Sequence, residues 1–394
     1  MKKTKILLLI LSVIPLLAGC WDSLEIEERG FLVGIAVDLL EKQDNGSYQL
    51  EMTEQIVNPA GLGTPGGTGG QTPAFINVSA SGTSLYDINS KITEKSSRVP
   101  SPQHLIIIPV SEDVAKEEEL FADVMDVFLR QQHMRRGIKV VIVQGEAKRI
   151  LDVQPDIENF PAQYMEAIME SSAKNPTIIE AVTAGDIHEY LLKEKSFILP
   201  RMSITEESEI KYEGVAVFRG DSSQMVGSLN GRETRGLNFI KGDHQQGALP
   251  VDWDGKETVI NVGKAGSKLT LEEEHEDKLV FSLDITVGGT IAETFSNQDI
   301  FQGKNREDLI RVMEDEVKKV AEDTISKVQE ELKVDAFDFS SHLQQHHYKL
   351  WKRIEDHWDK GKNIFSNSDI KVTVKGEIYQ PGNINQTKGN EEGG

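Results

Sequence analysis

One cysteine, Cys20, in 394 residues limits how this chain can hold itself together. A lone thiol has no partner, so an internal disulfide framework is excluded. The fold must therefore rest on buried apolar surface. Hydrophobic residues at 38% supply enough of it for real cores, and too little for a protein lodged within a bilayer. The length argues for two or three domains at roughly 150 residues each. Formal net charge is −21, with acids spread along the whole chain rather than gathered in one tail. A phosphate-binding surface needs clustered Lys and Arg, so nucleic acid is not an expected partner.

Residues 1–19 read as an export signal. Lys2, Lys3 and Lys5 form a basic start, and Ile6 to Leu17 is an apolar run interrupted by Ser12 and Pro15. Such a run makes about 18 Å of helix. The hydrocarbon core is ~30 Å thick, so a permanent transmembrane span is not expected. Leu17-Ala18-Gly19-Cys20 resembles a bacterial lipobox: an aliphatic residue, two small residues that leave the backbone open to a peptidase, then cysteine. Cleavage after Gly19, an S-diacylglycerol on Cys20 and acylation (palmitate, for instance) of the freed amine follow as expectations. An ordinary signal peptide with an incidental Cys20 is the weaker alternative. Two acyl chains suffice for stable anchoring. Loss of the three lysines takes the charge from −21 to −24. An anionic membrane surface repels such a body, which predicts a tethered protein standing off the lipid unless a protein partner holds it. Trp21 is placed to rest at the headgroup layer. The tether between lipid and fold is only a few residues long.

Downstream, Gly30–Leu39 and Tyr48–Val57 read as a hairpin around Asp44-Asn45-Gly46-Ser47. Segment 74–80 reads as a strand and 83–96 as a helix with Leu85, Ile88 and Ile92 on one face. A strand over 104–110, a helix over 111–132 and a strand over 138–144 follow, a β-α-β-α-β alternation. Short helices are expected near 160–172 and 185–195. Segment 203–211, polar and just after Pro200, reads as a joint between domains. Strands resume at 212–218, 225–229, 258–262, 268–275 and 278–287. Asn305 to Lys333 reads as a long helix, with Leu309, Met313, Val317, Val320, Thr324, Val328 and Leu332 on one face. Packing on a sheet is its main expectation and a coiled-coil partner the second. Asn305 with Asp308 resembles a capping box. A second helix over 341–357 places Trp351 and Trp358 on a core face. A closing strand spans 371–378, and 383–394 reads as a disordered tail.

Several motifs resemble chemical sites but lack the residues that the chemistry needs. Gly61, Gly63 and Gly66 match G-x-G-x-x-G, but Pro65 and further glycines follow where a helix must start, so the Gly-rich stretch 58–73 reads as a loop. Glu272 to Asp277 lacks a glycine-centred calcium loop and reads as a solvated turn. His342 and His346 are four apart without an HExxH glutamate or a nearby cysteine, so no metal is expected. No Ser-centred elbow appears, and paired carboxylates among 64 acids carry no weight. No cofactor and no catalytic residue is assigned.

Gly19-Cys20-Trp21-Asp22, Glu25-Ile26-Glu27 and Gly34-Ile35-Ala36-Val37-Asp38 together resemble the N-terminus of the Ger(x)C family. Gly214-Val215-Ala216-Val217-Phe218, Leu229-Asn230 and Glu233-Thr234-Arg235-Gly236-Leu237 resemble the opening of that family's C-terminal domain. The two-tryptophan helix, the V-x-V strand and Gly382 resemble its close. Phe337-Asp338-Phe339 is a loose version of a Gly- and Phe-containing segment, and the insert 58–73 is longer than the family pattern. The order and spacing of these pieces, more than any one of them, carry the resemblance across almost the whole mature chain.

The resemblance implies an α+β fold with mixed and antiparallel sheets, packed helices and two to three domains after a cleaved lipoprotein signal peptide. The division read here is signal 1–19, N-terminal domain 20–200, C-terminal domain 201–382 with the helix 305–333, and tail 383–394. It further implies a non-enzymatic, lipid-anchored C subunit of a spore nutrient germinant receptor. That subunit would sit on the extracytoplasmic face of the spore inner membrane and work with integral membrane A and B subunits. Direct binding of the nutrient is left open. A solute-binding lipoprotein of a transport system is the alternative; it shares the lipobox and the acidic body but needs two similar α/β lobes.

Overall fold

The computed structural model describes residues 29–379 apart from 63–71, 133, 243–245, 297, 299 and 301. β1 (Arg29–Lys42) and β2 (Tyr48–Val57) form the expected hairpin, with Lys42 opposite Tyr48. Gly46 at φ 84 supplies the left-handed turn residue. β3 (Phe75–Gly82) adds antiparallel to β2, and α1 (Leu85–Lys95) buries Leu85, Ile88 and Ile92 as their spacing predicts. β4 (Val99–Ser101) and β5 (Ile107–Ser111) both run parallel to β1, at its start and its centre.

The single helix expected over 111–132 is two. Ser111 caps α2 (Glu112–Lys116), and α3 (Leu120–Arg130) follows a break. Glu119 takes φ 60 there and donates its N–H to Ser222 O at 2.9 Å. Glu117 is held by Lys42 Nζ at 2.6 Å and Tyr48 Oη at 3.1 Å. Tertiary partners outcompete helix continuation at that point. β6 (Lys139–Val143), α4 (Ala147–Ile150), α5 (Pro161–Glu170), α6 (Ala184–Leu192), β7 (Phe197–Ile204), β8 (Ile210–Arg219) and β9 (Gln224–Leu229) complete this half.

Its strands form one sheet, ordered β3-β2-β1-β5-β6-β7-β8-β9 with β4 beside the start of β1. The run β1-β5-β6-β7 is parallel and both flanks are antiparallel. Helices cover both faces. Leu32, Ile35 and Val37 pack with Ile88, Phe121 and Ile187 of α1, α3 and α6. Val33 and Ala36, alternating with them, pack with Ile150 and Met165 of α4 and α5. All five residues of β5 are buried, as a parallel strand covered on both faces requires. The polar stretch 203–211, expected as a joint, is instead the turn of the β7–β8 hairpin, closed by Thr205 N–H to Glu209 O at 2.8 Å. The sheet runs through it, and the expected division after residue 200 falls inside β7.

A second sheet is ordered β10-β11-β12-β13. α7 (Gly231–Lys241) leads into β10 (Gly247–Trp253), β11 (Lys256–Glu274) and β12 (Leu279–Thr294). Two strands expected at 258–262 and 268–275 are one 19-residue strand, bent by register shifts at 259/260, 262/264 and 271/273. Glu272 to Asp277 closes the β11–β12 hairpin, with His275 N–H donating to Lys278 O at 3.0 Å.

α8 (Asn305–Ser326) packs on this sheet with the expected stripe buried, and a wider turn, Lys327–Leu332, carries Val328 and Leu332 onto the same core. Asn305 is the first helical residue rather than the cap; Lys304 precedes it and makes no side-chain cap bond. The expected helix 341–357 is broken at His347 into α9 (Phe339–His346) and α10 (Tyr348–Ile354). α11 (Ile364–Asn367) leads into β13 (Asp369–Tyr379), which closes the sheet parallel to β12. The architecture is α+β, with one mixed and one largely antiparallel sheet and a continuous core between them. Among the described residues no helix is long and apolar enough to cross a membrane.

Candidate functional site

Cys20 and Gly19, the expected lipidation and cleavage positions, lie outside the described residues, as do Trp21, Gly63, Gly66, Gly382 and 383–394. Arg29 follows Cys20 by nine positions. At ~3.3–3.6 Å per extended residue, the start of β1 stays within about 30 Å of whatever Cys20 is joined to. That start borders a groove of about 750 Å³ lined by Phe31, Val33, Val57, Leu62, Ile106 and Phe160, with Arg135, His104 and Glu166 as its polar members. Phe31 meets His104 edge to face at 5.1 Å. Glu166 is ion-paired with Lys139. The surface beside the start of β1 is thus a largely apolar concavity with Arg135, among the described residues, on its wall.

The N-terminal motif has a structural explanation. Gly34 lets β1 approach α4 and α5, since a β-carbon there would lie 3.0 Å from Leu151 Cδ2. Asp38 is 4% exposed and its carboxylate accepts from Ala147 N at 2.6 Å and Lys148 N at 2.8 Å. It caps α4 from a neighbouring strand, because Glu146 at the local cap position makes no such bond. Burial pushes Asp38 up to about 6 despite those two amides.

The second motif builds a helix crossing. Gly214 takes φ 125, and a β-carbon on it would strike Leu229 O at 2.0 Å. Asn230 and Glu233 form a capping box on α7. Glu233 also receives Lys327 Nζ at 2.8 and 2.9 Å. Gly236 brings α7 against α8, where a β-carbon would lie 2.1 Å from Thr324 Oγ1. Arg232 reaches Glu316 and Asp323 of α8, each at 3.0 Å.

At the aromatic end, Asp338 of the Phe337-Asp338-Phe339 segment takes φ 68, a left-handed conformation that Gly favours and Asp tolerates. Just before it, buried Asp335 accepts from Phe339 N at 3.1 Å, Ser340 N at 2.7 Å and Trp358 Nε1 at 2.8 Å. Desolvation, then the neighbouring Asp359 charge, push its carboxyl up to about 6. Trp351 and Trp358 are core residues, as expected. Polar side chains also line a cleft of about 620 Å³ between the turn after α6 and the helices α9 and α10. All of its lysines are ion-paired: Lys352 with Glu355 and Lys360 with Glu194 at 3.0 Å, Lys195 with Asp338 at 2.7 Å and Lys193 with Glu189 at 2.6 Å.

His342 and His346 lie with ring centroids 4.7 Å apart. Burial and the two neighbouring histidines lower the His342 pKa. Among the described residues no group of three or more His, Cys, Asp and Glu side chains is placed to hold a metal ion. Two buried acids, Asp335 and Glu54, have no motif in the sequence to mark them. Glu54 is 1% exposed, on the same face of β2 as buried Met52 and Ile56. Its signal was present in the strict alternation of a strand, which places residue 54 on the apolar side.

Comparison with known proteins places both halves. Residues 22–204 match the family described as spore germination protein N-terminal domain. Residues 213–382 match spore germination B3/GerAC like, C-terminal. Spore germination protein YndF of Bacillus subtilis (strain 168) is 29% identical over 385 residues, covering 93% of this chain and 94% of that protein. Spore germination protein B3 of the same organism is 24% identical over 371 residues, with 93% and 95% covered. Spore germination protein A3 is 26% identical over 362 residues, with 91% and 93% covered. A crystal structure of the GerBC protein shares the fold at a TM-score of 0.60 and 22% identity, covering 87% of this chain and 97% of that one.

Proposed function

The chain belongs to the Ger(x)C family of spore germination proteins, and from that membership we propose that it is a lipid-anchored, non-catalytic subunit of a nutrient germinant receptor. The observation that carries the proposal is the pairing of a lipobox, Leu17-Ala18-Gly19-Cys20, with family similarity over both halves of the body. In this reading Cys20 bears the diacylglycerol and an N-linked acyl chain, and the body sits on the extracytoplasmic face of the spore inner membrane. Integral membrane A and B subunits are its partners. The apolar groove at the start of β1 lies on the tether side of the body, where a membrane-embedded partner is within reach. The role is interaction rather than catalysis: Asp38 and Glu233 of the motifs, and Asp335 just before a third, are each engaged separately, by backbone amides, by Lys327 and by the Trp358 indole.

A solute-binding lipoprotein would need two similar lobes around a cleft. The two sheets here differ in strand number and order, which favours the receptor reading. A strain lacking the gene is expected to germinate slowly or not at all in at least one nutrient mixture. Normal germination in every mixture, with any paralogues also removed, refutes the proposal.

A further inference from the structure

We propose that the cavity between the first sheet and helices α1 and α3 binds a small organic ammonium ion with an apolar body, its charge held by Glu54. The cavity is about 220 Å³ and is walled by Leu32, Ile35 and Met52 from the strands and by Leu85, Val127 and Phe128 from the helices. At ~30 Å³ per water it has the room of about seven waters, enough for an alkylammonium of roughly six heavy atoms.

Among the described residues Glu54 is the sole acid that lines it, and no cationic side chain does. Its Oε2 is buried and meets no hydrogen-bond partner among the described residues. Two other buried carboxylates are satisfied, Asp38 by two amides and Asp335 by two amides and an indole; Glu158, half-buried as a residue, shares with Glu54 an unpartnered Oε2 but does not line this cavity. An unpaired carboxylate against apolar walls is a destabilising arrangement unless the group is neutral or something positive meets it. Desolvation alone pushes Glu54 up to about 7, so near neutral pH the group is available to a cation. Aromatic Phe128 and Tyr86 in the wall also suit a cation, and Tyr86, 71% exposed, opens the cavity to solvent. The chain's net charge of −21 raises the local concentration of small cations. Neutral polar solutes are less suited, because the remaining polar members of the lining, Asn89 and Gln131, are exposed amides.

The inference does not rest on the receptor reading, since loss of amine binding would leave the germination phenotype untouched as a test of that reading. The full chain in detergent is titrated at pH 8 with isopentylamine and, as its neutral counterpart, isopentanol, by calorimetry or saturation-transfer NMR. The amine is expected to bind about tenfold or more tightly than the alcohol, the preference of a charge-assisted bond. Glu54→Gln is expected to erase that preference, and Val127→Trp, which fills the cavity and leaves Glu54 in place, to abolish binding of both. No amine binding at millimolar concentration, equal affinity for the two probes, or an amine preference that survives Glu54→Gln overturns the proposal. Thermal melting of each variant is followed in parallel. If Glu54→Gln does not fold, retention of amine binding by Val127→Trp overturns the proposal on its own.

Discussion

Gly236 of α7 meets Thr324 of α8 so closely that a β-carbon at 236 would lie 2.1 Å from the Thr324 hydroxyl and 2.7 Å from Val320 O. The Thr324 side chain fills the space that a side chain at 236 would need, and this contact fixes how α7 docks on the long helix. In an exposed helix interior, Gly→Ala raises stability by about 1 kcal/mol. Here the sign reverses. Gly236→Ala is expected to destabilise by roughly 1–3 kcal/mol through overpacking. Urea unfolding measures it, and a midpoint equal to or above that of the unsubstituted protein contradicts the close crossing. Thr324→Ala in the same chain should restore part of the loss, since Val320 O remains in the way.

Trp358→Phe tests the buried carboxylate of Asp335. It keeps most of the ring volume but removes the Nε1–H that Asp335 Oδ2 accepts at 2.8 Å. Stability should fall by roughly 1–3 kcal/mol. In the Asp335→Asn background the same substitution should matter less, because the acceptor no longer carries charge. Equal losses in the two backgrounds would show that Trp358 contributes by volume alone.

Stability should decline from mildly acidic to neutral pH. Burial raises Glu54 to about 7 and Asp38 and Asp335 to about 6, all above their ordinary carboxyl values near 4. Between those limits the native state binds more protons than the unfolded chain. Stability from these groups is therefore full near pH 4 and lost as pH rises through 6 to 7. For Glu54 the loss is on the order of 3 kcal/mol. Glu54→Gln should flatten that part of the profile and raise stability at pH 8. Denaturant midpoints across pH 4–8 decide it, and parallel profiles for the two proteins would contradict the burial of Glu54.

Cys20→Ala is expected to leave the fold unchanged and to move the protein from the membrane to the soluble fraction of a host lacking the partner subunits. Circular dichroism checks the first outcome and fractionation the second. A variant that still sediments with membranes in that host refutes the lipid anchor.

Much of the secondary structure was legible because it follows periodicity. The stripe from Leu309 to Leu332 and the hairpin of β1 and β2 are local patterns, and tertiary packing agrees with them. Less legible was whatever a distant partner decides. The helix over 111–132 breaks because Ser222, Lys42 and Tyr48, far off in sequence, take hold of residues 117–119. α7 was not legible because it is a glycine-containing helix whose buried face includes Thr234 and Asn238 rather than a continuous apolar stripe. The polar stretch 203–211 read as a joint because a hairpin turn and a linker share the same composition, and only pairing distinguishes them.

The site divides in the same way. Residues alone mark Cys20 as a candidate for lipidation, since export signals and lipoboxes are linear patterns, read by enzymes before folding. Residues alone also carry the family resemblance, through the order of the motifs. The roles of those motifs are a tertiary matter. Asp38 caps a helix that begins 109 positions later, and Asp335 collects two amides from the start of α9 and an indole from Trp358, beyond α10. Glu54 reads as one acid in a polar strand until the sheet faces α1 and α3, and then it is a charge within an apolar cavity. Burial and partnership depend on which distant surfaces come together, so a carboxylate's chemistry is set by the fold rather than by its neighbours in the chain.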